Sequence, residues 1–415
     1  MSYDSIKIED VCKKVTSGGT PKSTNPAYYD PKEIPWLKTG EVNYYRIYDT
    51  ETYISKAGLA NSSAKLIPEN SVIVAMYGQG DTAGRVAINK IPLCTNQACC
   101  NLIIDHDIAD YEYVYYALST MYNKFVSLKN GGAQPNLNAA IIKAVEIPFP
   151  DIHIQHKIAS ILSNYDTLIE NNQKQIKLLE EAAQRLYKEW FVDLHFPGWE
   201  NTEIVDGVPK GWIRKNVCEC LESYIGGGWG KEIATGKNLI SGKVIRGTDI
   251  NDIKTGNFED LPLRYHTEND INKRVLKEND IVFELSNGNI NNIGRCLLID
   301  DLILQSCGEN TICASFCKLL RPLDKNVALM LYLEIQNMQE NGSLQLFKKQ
   351  GSNGINNFAF DEFLLNEILI PQDNRFFIIF ENIMKLISVA RIRISKAKKM
   401  REYLLPKLMG GELEV

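Results

Sequence analysis

Histidine, cysteine, paired carboxylates and glycine-rich loops are where chemistry is sought first, and in these 415 residues none of them forms a working set. The five histidines are His106, His153, His156, His195 and His266; His153 and His156 stand near the start of a long helical stretch and read as solvent-facing. The ten cysteines include the close pairs Cys99/Cys100, Cys218/Cys220 and Cys313/Cys317, but no CxxC pair and no following His-x(3–5)-His, so no zinc site is expected. Most lie in apolar strings such as NTICASFCKLL, where a thiol acts as a small core residue. The string GGGWGKE (Gly226 to Glu232) is one spacer short of a phosphate-binding P-loop and lacks its magnesium-binding hydroxyl. There is no DPPY- or NPPF-like tetrapeptide, no FxGxG-like loop for S-adenosylmethionine and no PD…ExK spacing of a nuclease. A binding scaffold without catalytic residues or a metal is therefore expected.

The elements that would position such a scaffold come in two copies. WLKTGEVN (Trp36 to Asn43) is answered by VIRGTDIN (Val244 to Asn251). PENSVIVAMYGQGDTAGRVAI is answered by KENDIVFELSNGNINNIGRCLLI, which sets Gly84-Arg85 opposite Gly294-Arg295. GGAQPNLNAAIIKAVEIPFP is answered by QGSNGINNFAFDEFLLNEILIP, and the offset grows from 208 residues at the first match as the loops lengthen. The order of the matches is the mark of an internal duplication. Within each copy, β-branched runs (SVIVAMY, NLIID, DIVFEL, ILIP) between Gly/Asn/Pro loops read as short strands, and YVYYALSTMYNKFVSL and NVALMLYLEIQNMQENGSLQLF as helices.

Each copy ends in a long helix with an unbroken four-three apolar spacing. In the first the seam is Ile158, Leu162, Tyr165, Ile169, Asn172, Ile176, Leu179, Ala183, Leu186 and Trp190. In the second it is Phe376, Phe380, Ile383, Ile387, Ala390, Ile394, Ala397, Arg401, Leu404 and Leu408. Such spacing keeps one narrow seam facing a partner helix, and a lone Asn on it fixes register. Both seams run 33 residues, about 50 Å at about 1.5 Å per residue. Equal lengths suit an intramolecular antiparallel pair, with the second helix ending near Leu405 because Pro406 disturbs its last turn. The expected architecture is mixed α/β (α+β): two globules separated by two antiparallel coiled-coil helices, with pseudo-two-fold symmetry. The expected boundaries are 1–150 and 194–372 for the globules, with a linker around FPGWENTE, and 151–193 and 373–415 for the helices with the C-terminal tail. No apolar run spans a bilayer and MSYDSIKIEDVCKK does not read as a signal peptide, so a cytoplasmic location is expected.

Four strings give the chain a family resemblance. SGGTPKST (Ser17 to Thr24) with IPWLKTGEV looks like the opening of a target-recognition domain, GGAQPNLN (Gly131 to Asn138) like the glycine-rich loop near its end, GVPKGW (Gly207 to Trp212) like the start of a second such domain, and LLPKLMGGELEV like a closing helix and tail. In this order around two long helices they resemble the specificity (S) subunit of type I restriction-modification enzymes, over nearly the whole chain. The second copy departs from the pattern, with GSNGINNF in place of the usual loop and no TPK after GGGWGK.

The resemblance implies a non-catalytic DNA-binding subunit in host defence. Each globule reads one half of a split double-stranded DNA site, and the helices serve as a ruler and as a docking surface for two methyltransferase (M) subunits. Restriction-translocase (R) subunits join through the complex, and S-adenosylmethionine, ATP and magnesium belong to those partners. About 50 Å of helix corresponds to roughly 15 base pairs at about 3.4 Å each. Base reading calls for Arg, Lys, Asn and Gln on loops. The candidates are Lys22, Lys38, Gln79, Arg85, Asn96, Gln97 and Gln134 in the first copy. In the second they are Lys231, Arg246, Asn287, Asn289, Arg295, Lys348, Lys349 and Asn353. Arg85 and Arg295, shared by both copies, suit a phosphate contact or a fold-holding pair better than base discrimination.

Charge runs against a lone DNA binder. The chain carries −5 overall, residues 1–150 hold 14 basic and 15 acidic side chains, and residues 193–372 hold 18 and 25. Residues 373–408 hold 9 and 3, with Arg391, Arg393, Lys396, Lys398, Lys399 and Arg401 close together, facing the DNA gap or an acidic partner. The partners are therefore expected to neutralise much of the phosphate charge. Two alternatives remain at this point: a coiled-coil interaction scaffold that does not touch DNA, and the recognition module of a related system in which methylation and cleavage share one polypeptide.

Overall fold

The computed structural model describes residues 3–129, 136–351 and 354–415. It divides into two compact units, Met1–Thr167 with Lys398–Val415, and Leu168–Ala397. Each unit is α/β, and each contains stretches of both long helices, Ile152–Tyr187 and Arg375–Met409.

In the first unit a five-stranded sheet runs in the order Cys12–Ser17, Cys99–Ile104, Val72–Ala75, Val86–Asn89, Arg46–Ile47. A second sheet sets Ile34–Leu37 beside Leu93–Thr95, in parallel, with Trp36 opposite Cys94 and Leu37 opposite Thr95. The second unit repeats both arrangements. Leu221–Gly226, Cys317–Pro322, Ile281–Glu284 and Cys296–Leu298 form one sheet. Ile240–Ile245 runs parallel to Ile312–Cys313, with Val244 opposite Ile312 and Ile245 opposite Cys313. The duplicated strings thus fold into duplicated pairings. Gly84 and Gly294 take φ of +98° and +88°, a region that costs a glycine nothing and most residues strain. The helices packed on the two sheets share a start signal as well: Asp110 caps Tyr111–Ser119 through the Tyr113 amide at 2.9 Å, and Asp324 caps Lys325–Glu340 through the Val327 amide at 3.0 Å.

Burial by apolar contact places the long helices within the units. In the first unit Ile158, Ala159 and Leu162 join a core with Tyr113, Tyr116, Phe125, Leu408 and Met409. In the second, Ala183, Tyr187 and Phe191 join Trp212, Phe363, Phe377 and Phe380. The helices run antiparallel in each. Lys157 donates to the Val415 carbonyl at 3.1 Å and Arg401 pairs with Asp166 in the first unit. In the second, Glu180 lies 3.7 Å from Arg391 while Trp190 meets Phe380 and Phe376 edge-on, with ring centroids 5.7 and 5.9 Å apart. Every seam position, Asn172 and Arg401 included, is buried or half-buried.

Two expectations are corrected here. The second helix does not stop near Leu405 but continues through Pro406 to Met409. A proline removes one amide donor, and the burial of Leu408 and Met409 (2% and 3% exposed) outweighs that loss. Nor do all six clustered cations of this helix face outward. Arg391 is 5% exposed and donates to the Lys254 carbonyl at 3.1 Å, and Arg401 is held by Asp166. After the first helix, a π-helical turn at Lys188–Val192 swings Phe191 into the second unit's core.

Asp166 is a buried carboxylate that also accepts the Tyr116 hydroxyl at 2.5 Å. Removing one partner of a buried pair leaves the other charged and unsolvated, at a cost of about 3–5 kcal/mol. Asp166→Ala is therefore expected to destabilise the first unit by about 3 kcal/mol. Hydrogen exchange should accelerate at the Tyr111–Ser119 amides and not at those of Lys325–Glu340; equal protection in wild type and variant would refute the role of this pair.

Candidate nucleic-acid interface

In both units the functional surface starts where the two parallel strands end. Parallel strands release their following loops at the same edge, so the residues after Leu37 meet those after Thr95, and the residues after Ile245 meet those after Cys313. A third segment joins them at a glycine. A Cβ on Gly18 would sit 2.2 Å from the Thr95 carbonyl oxygen, and one on Gly227 would sit 2.4 Å from that of Cys313. Gly227 and Gly228 thus match Gly18 and Gly19, and the second copy keeps the backbone of the SGGTPK opening where it loses the TPK letters.

In the first unit, Lys38 is exposed and its backbone amide donates to Glu41 Oε1 at 2.9 Å. Asn96 is used internally: its Oδ1 accepts the Thr39 hydroxyl at 3.0 Å, the Ala98 amide at 3.2 Å and the Cys99 thiol at 3.3 Å. Gln97 is exposed and accepts the Thr20 hydroxyl, two residues before the exposed Lys22. Lys22, Lys38, Asn96 and Gln97 therefore belong to one loop cluster. Gln79 is exposed on the loop after Val72–Ala75, and Arg85 donates to Asn43 at 3.1 Å. Gln134 lies outside the described residues.

In the second unit, Arg246 takes the place of Lys38, and Asp249 repeats the Glu41 cap, accepting the Arg246 amide at 2.8 Å. Asp249 also grips the guanidinium, with Nε at 2.9 Å and Nη2 at 2.7 Å, and these bonds hold the Arg246 pKa above its ordinary value. Arg295 donates from Nε to Glu284 at 2.8 Å, and Glu284 is 2% exposed. Asn287 donates to the other Glu284 oxygen at 2.7 Å, and Asn289 caps a short turn through the Asn291 amide at 3.0 Å. Arg246, Asn287 and Glu284 line a cleft of about 660 Å³ with Trp229, Phe316 and Ile355. Lys231 is exposed, and its backbone pairs with Tyr265. Lys348 and Lys349 form a strand of the sheet that also contains Ser286–Asn287. Burial lowers the Lys348 pKa, and Lys349 is paired with Glu362. Asn353 lies outside the described residues.

Trp229, Glu284 and Phe316 escaped the sequence reading, which looked for Arg, Lys, Asn and Gln. Pairing the strand starts Cys99 and Cys317 sets Phe316 opposite Ala98, and that mismatch was the available signal.

Comparison with known proteins now bears on this geometry. Residues 2–181 match the type I restriction modification DNA specificity domain. The MjaIX specificity subunit of Methanocaldococcus jannaschii is 27% identical over 452 residues, covering 100% of this chain and 94% of that protein. Residues 2–181 thus resemble a type I specificity domain, and over its whole length the chain is similar to a type I specificity subunit. The EcoR124I/EcoR124II specificity subunit of Escherichia coli is 28% identical over 182 residues, covering 43% of this chain and 45% of that one. In fold, this chain resembles the crystal structure of the S subunit from M. genitalium, with a TM-score of 0.61, 15% identity and coverage of 98% and 96%.

Within this chain the cysteines are mostly structural. Eight are buried, Cys12 is half-buried and Cys218 is exposed; burial pushes the Cys99 and Cys313 thiols up to about 12. Among the described residues no cluster of His, Cys, Asp and Glu could hold a metal, and no helix is long and apolar enough to cross a membrane.

The two shared arginines hold their surroundings differently. Arg295→Ala strands the buried Glu284 carboxylate and is expected to cost the second unit about 3 kcal/mol. Arg85→Ala loses one hydrogen bond to an exposed partner, about 1 kcal/mol or less. Urea unfolding of the two variants should separate them; equal midpoints would refute the assignment of Arg295 as a fold-holding residue.

Proposed function

We propose that this chain is a type I specificity subunit that reads a split double-stranded DNA site, one half per unit, on behalf of methyltransferase subunits. The observation that carries this reading is the loop cluster built twice on the same backbone and furnished differently: Thr20, Lys38, Asn96 and Gln97 in one unit, Trp229, Arg246, Ala314 and Ser315 in the other. A shared scaffold with changed side chains is what two different half-sites require. Lys22, Lys38, Gln79 and Gln97, with Lys231, Arg246, Asn287 and Asn289, are the side chains we assign to DNA. Asn96, Arg85 and Arg295 shape the loops behind them. The recognition domains are taken as residues 1–150 and 194–372, and the spacers as 151–193 and 373–415.

The first long helix has 36 residues, about 54 Å of rise, and in this reading it acts as the ruler for the unread gap. Leu168, Leu178 and Leu386 are exposed on the helices and suit docking of the M subunits. Those subunits supply the phosphate-neutralising charge that residues 193–372, with 18 basic and 25 acidic side chains, do not. The R subunits join through the same complex.

The test is a single-molecule methylation map of cells that express this gene with an M subunit from its locus, against cells lacking only this gene. A split motif lost with the gene is expected. Four residues inserted after the exposed Gln173 should lengthen the gap and leave both half-sites unchanged. With the M subunit active and bound, the absence of any gene-dependent motif would leave a protein-binding scaffold as the better reading, in keeping with the acidic second unit.

A further inference from the structure

The duplication allows the two loop clusters to be compared position by position. Gly18 matches Gly227, which sets Thr20 against Trp229; Leu37 matches Ile245, which sets Thr39 against Gly247. Thr95 matches Cys313, which sets Asn96 and Gln97 against Ala314 and Ser315. Cys99 and Cys317 begin equivalent strands, which sets Ala98 against Phe316. The first unit thus lays out hydroxyls and amides, and the second lays out two large aromatic rings.

The rings are exposed but not loose. Trp229 is 40% and Phe316 is 58% exposed, and both line the 660 Å³ cleft. The Arg264 guanidinium lies 4.8 Å from the Trp229 ring centroid and is itself paired with Glu232 at 3.3 Å. The Phe316 carbonyl accepts the amides of Leu285 at 2.9 Å and Ser286 at 3.3 Å, which anchors the loop that presents its ring. Beneath them, Glu284 is neutralised by Arg295. It fits because residue 247 is glycine, whose Cβ would lie 2.0 Å from Glu284 Oε1, whereas the first unit has Thr39 and Ala75 at the matching positions. Beside the cleft, a cavity of about 340 Å³ shares Ser286 with it and is lined by Lys318, by Asp361 and by Lys349, which is paired with Glu362. Lys318 next to an apolar recess matches the order of groups along a duplex, phosphate beside base edge.

Only one base presents an apolar group in the major groove: thymine, through its C5 methyl. We infer that Trp229 and Phe316 are specificity-determining residues of the second unit and receive the methyl group of a thymine in its half-site. This rests on the DNA-reading function proposed above. Arg246 and Asn287 on the cleft walls supply the polar contacts that orient the base pair.

The test uses the full chain assembled with its M subunits and the motif found by methylation mapping. Each thymine of the second unit's half-site is replaced singly by deoxyuridine, which removes the methyl and nothing else. One replacement is expected to weaken binding about fourfold, the effect of one methyl no longer buried. In Phe316→Ala and in Trp229→Ala the thymine and uracil duplexes should bind alike at that position, while Phe316→Leu, still apolar, should keep the preference. Gel filtration confirms assembly, and either alanine variant suffices. A half-site without thymine, a wild type indifferent to every replacement, or a penalty that survives in the alanine variants would overturn the inference. A map with no split motif would instead remove the DNA-reading function itself, and would do so before any uracil is tested.

Discussion

A parallel pairing between strands far apart in sequence is the constraint on which each candidate surface depends. Trp36 pairs with Cys94, and Val244 with Ile312. An antiparallel hairpin joins its strands through one short turn, whereas a parallel pair needs a long crossover and releases two independent loops at one edge. The loops at 38–41 and 96–98, and their counterparts at 246–249 and 314–316, can therefore change side chains without changing the pairing that holds them. The glycines at 18 and 227 complete the arrangement, because only a residue without Cβ lets a third segment pass against the strand-end carbonyl. Variability in the loops and rigidity in the strands follow from the same geometry.

Buried charge fixes this geometry where apolar packing would leave it free to slide. Hydrophobic contact is non-directional, but Asp166 accepts Tyr116 and pairs with Arg401 at one helix register only. The second unit meets the same need in another way, with the Arg391 guanidinium donating to the Lys254 carbonyl. Around the cleft, Glu284 and Arg295 play this part for the loops. An ion pair of this kind contributes little net stability compared with an apolar replacement, yet losing one member is costly. The result is a firm backbone beneath side chains that are open to change.

Much of this was legible in the sequence, and the parts that were not have physical reasons. The four-three seams could be read because the spacing of side chains on a helix is local, and every seam position is buried or half-buried. The end of the second helix was misread because the local rule about Pro406 competes with the burial of Leu408 and Met409, which is tertiary. The basic run on that helix was overcounted for the same reason: Arg391 and Arg401 turn inward to partners more than a hundred residues away. Charge and polarity in a string show that a side chain can reach DNA, but not whether a neighbouring carboxylate has already claimed it, as Asp249 claims Arg246.

The acidic balance of the chain then takes on a different meaning. A protein that bound DNA alone would need cations spread along the duplex to release counterions. Here several of the arginines and lysines at the candidate surface are already paired: Arg246 with Asp249, Arg295 with Glu284, Lys349 with Glu362. Pairing removes net attraction for phosphate but preserves orientation, and orientation is what discriminates one base from another. A surface that holds its donors and aromatic rings in place with several cations already paired has less attraction for random DNA. Under the proposed function, its selectivity would then show when a partner brings the duplex close.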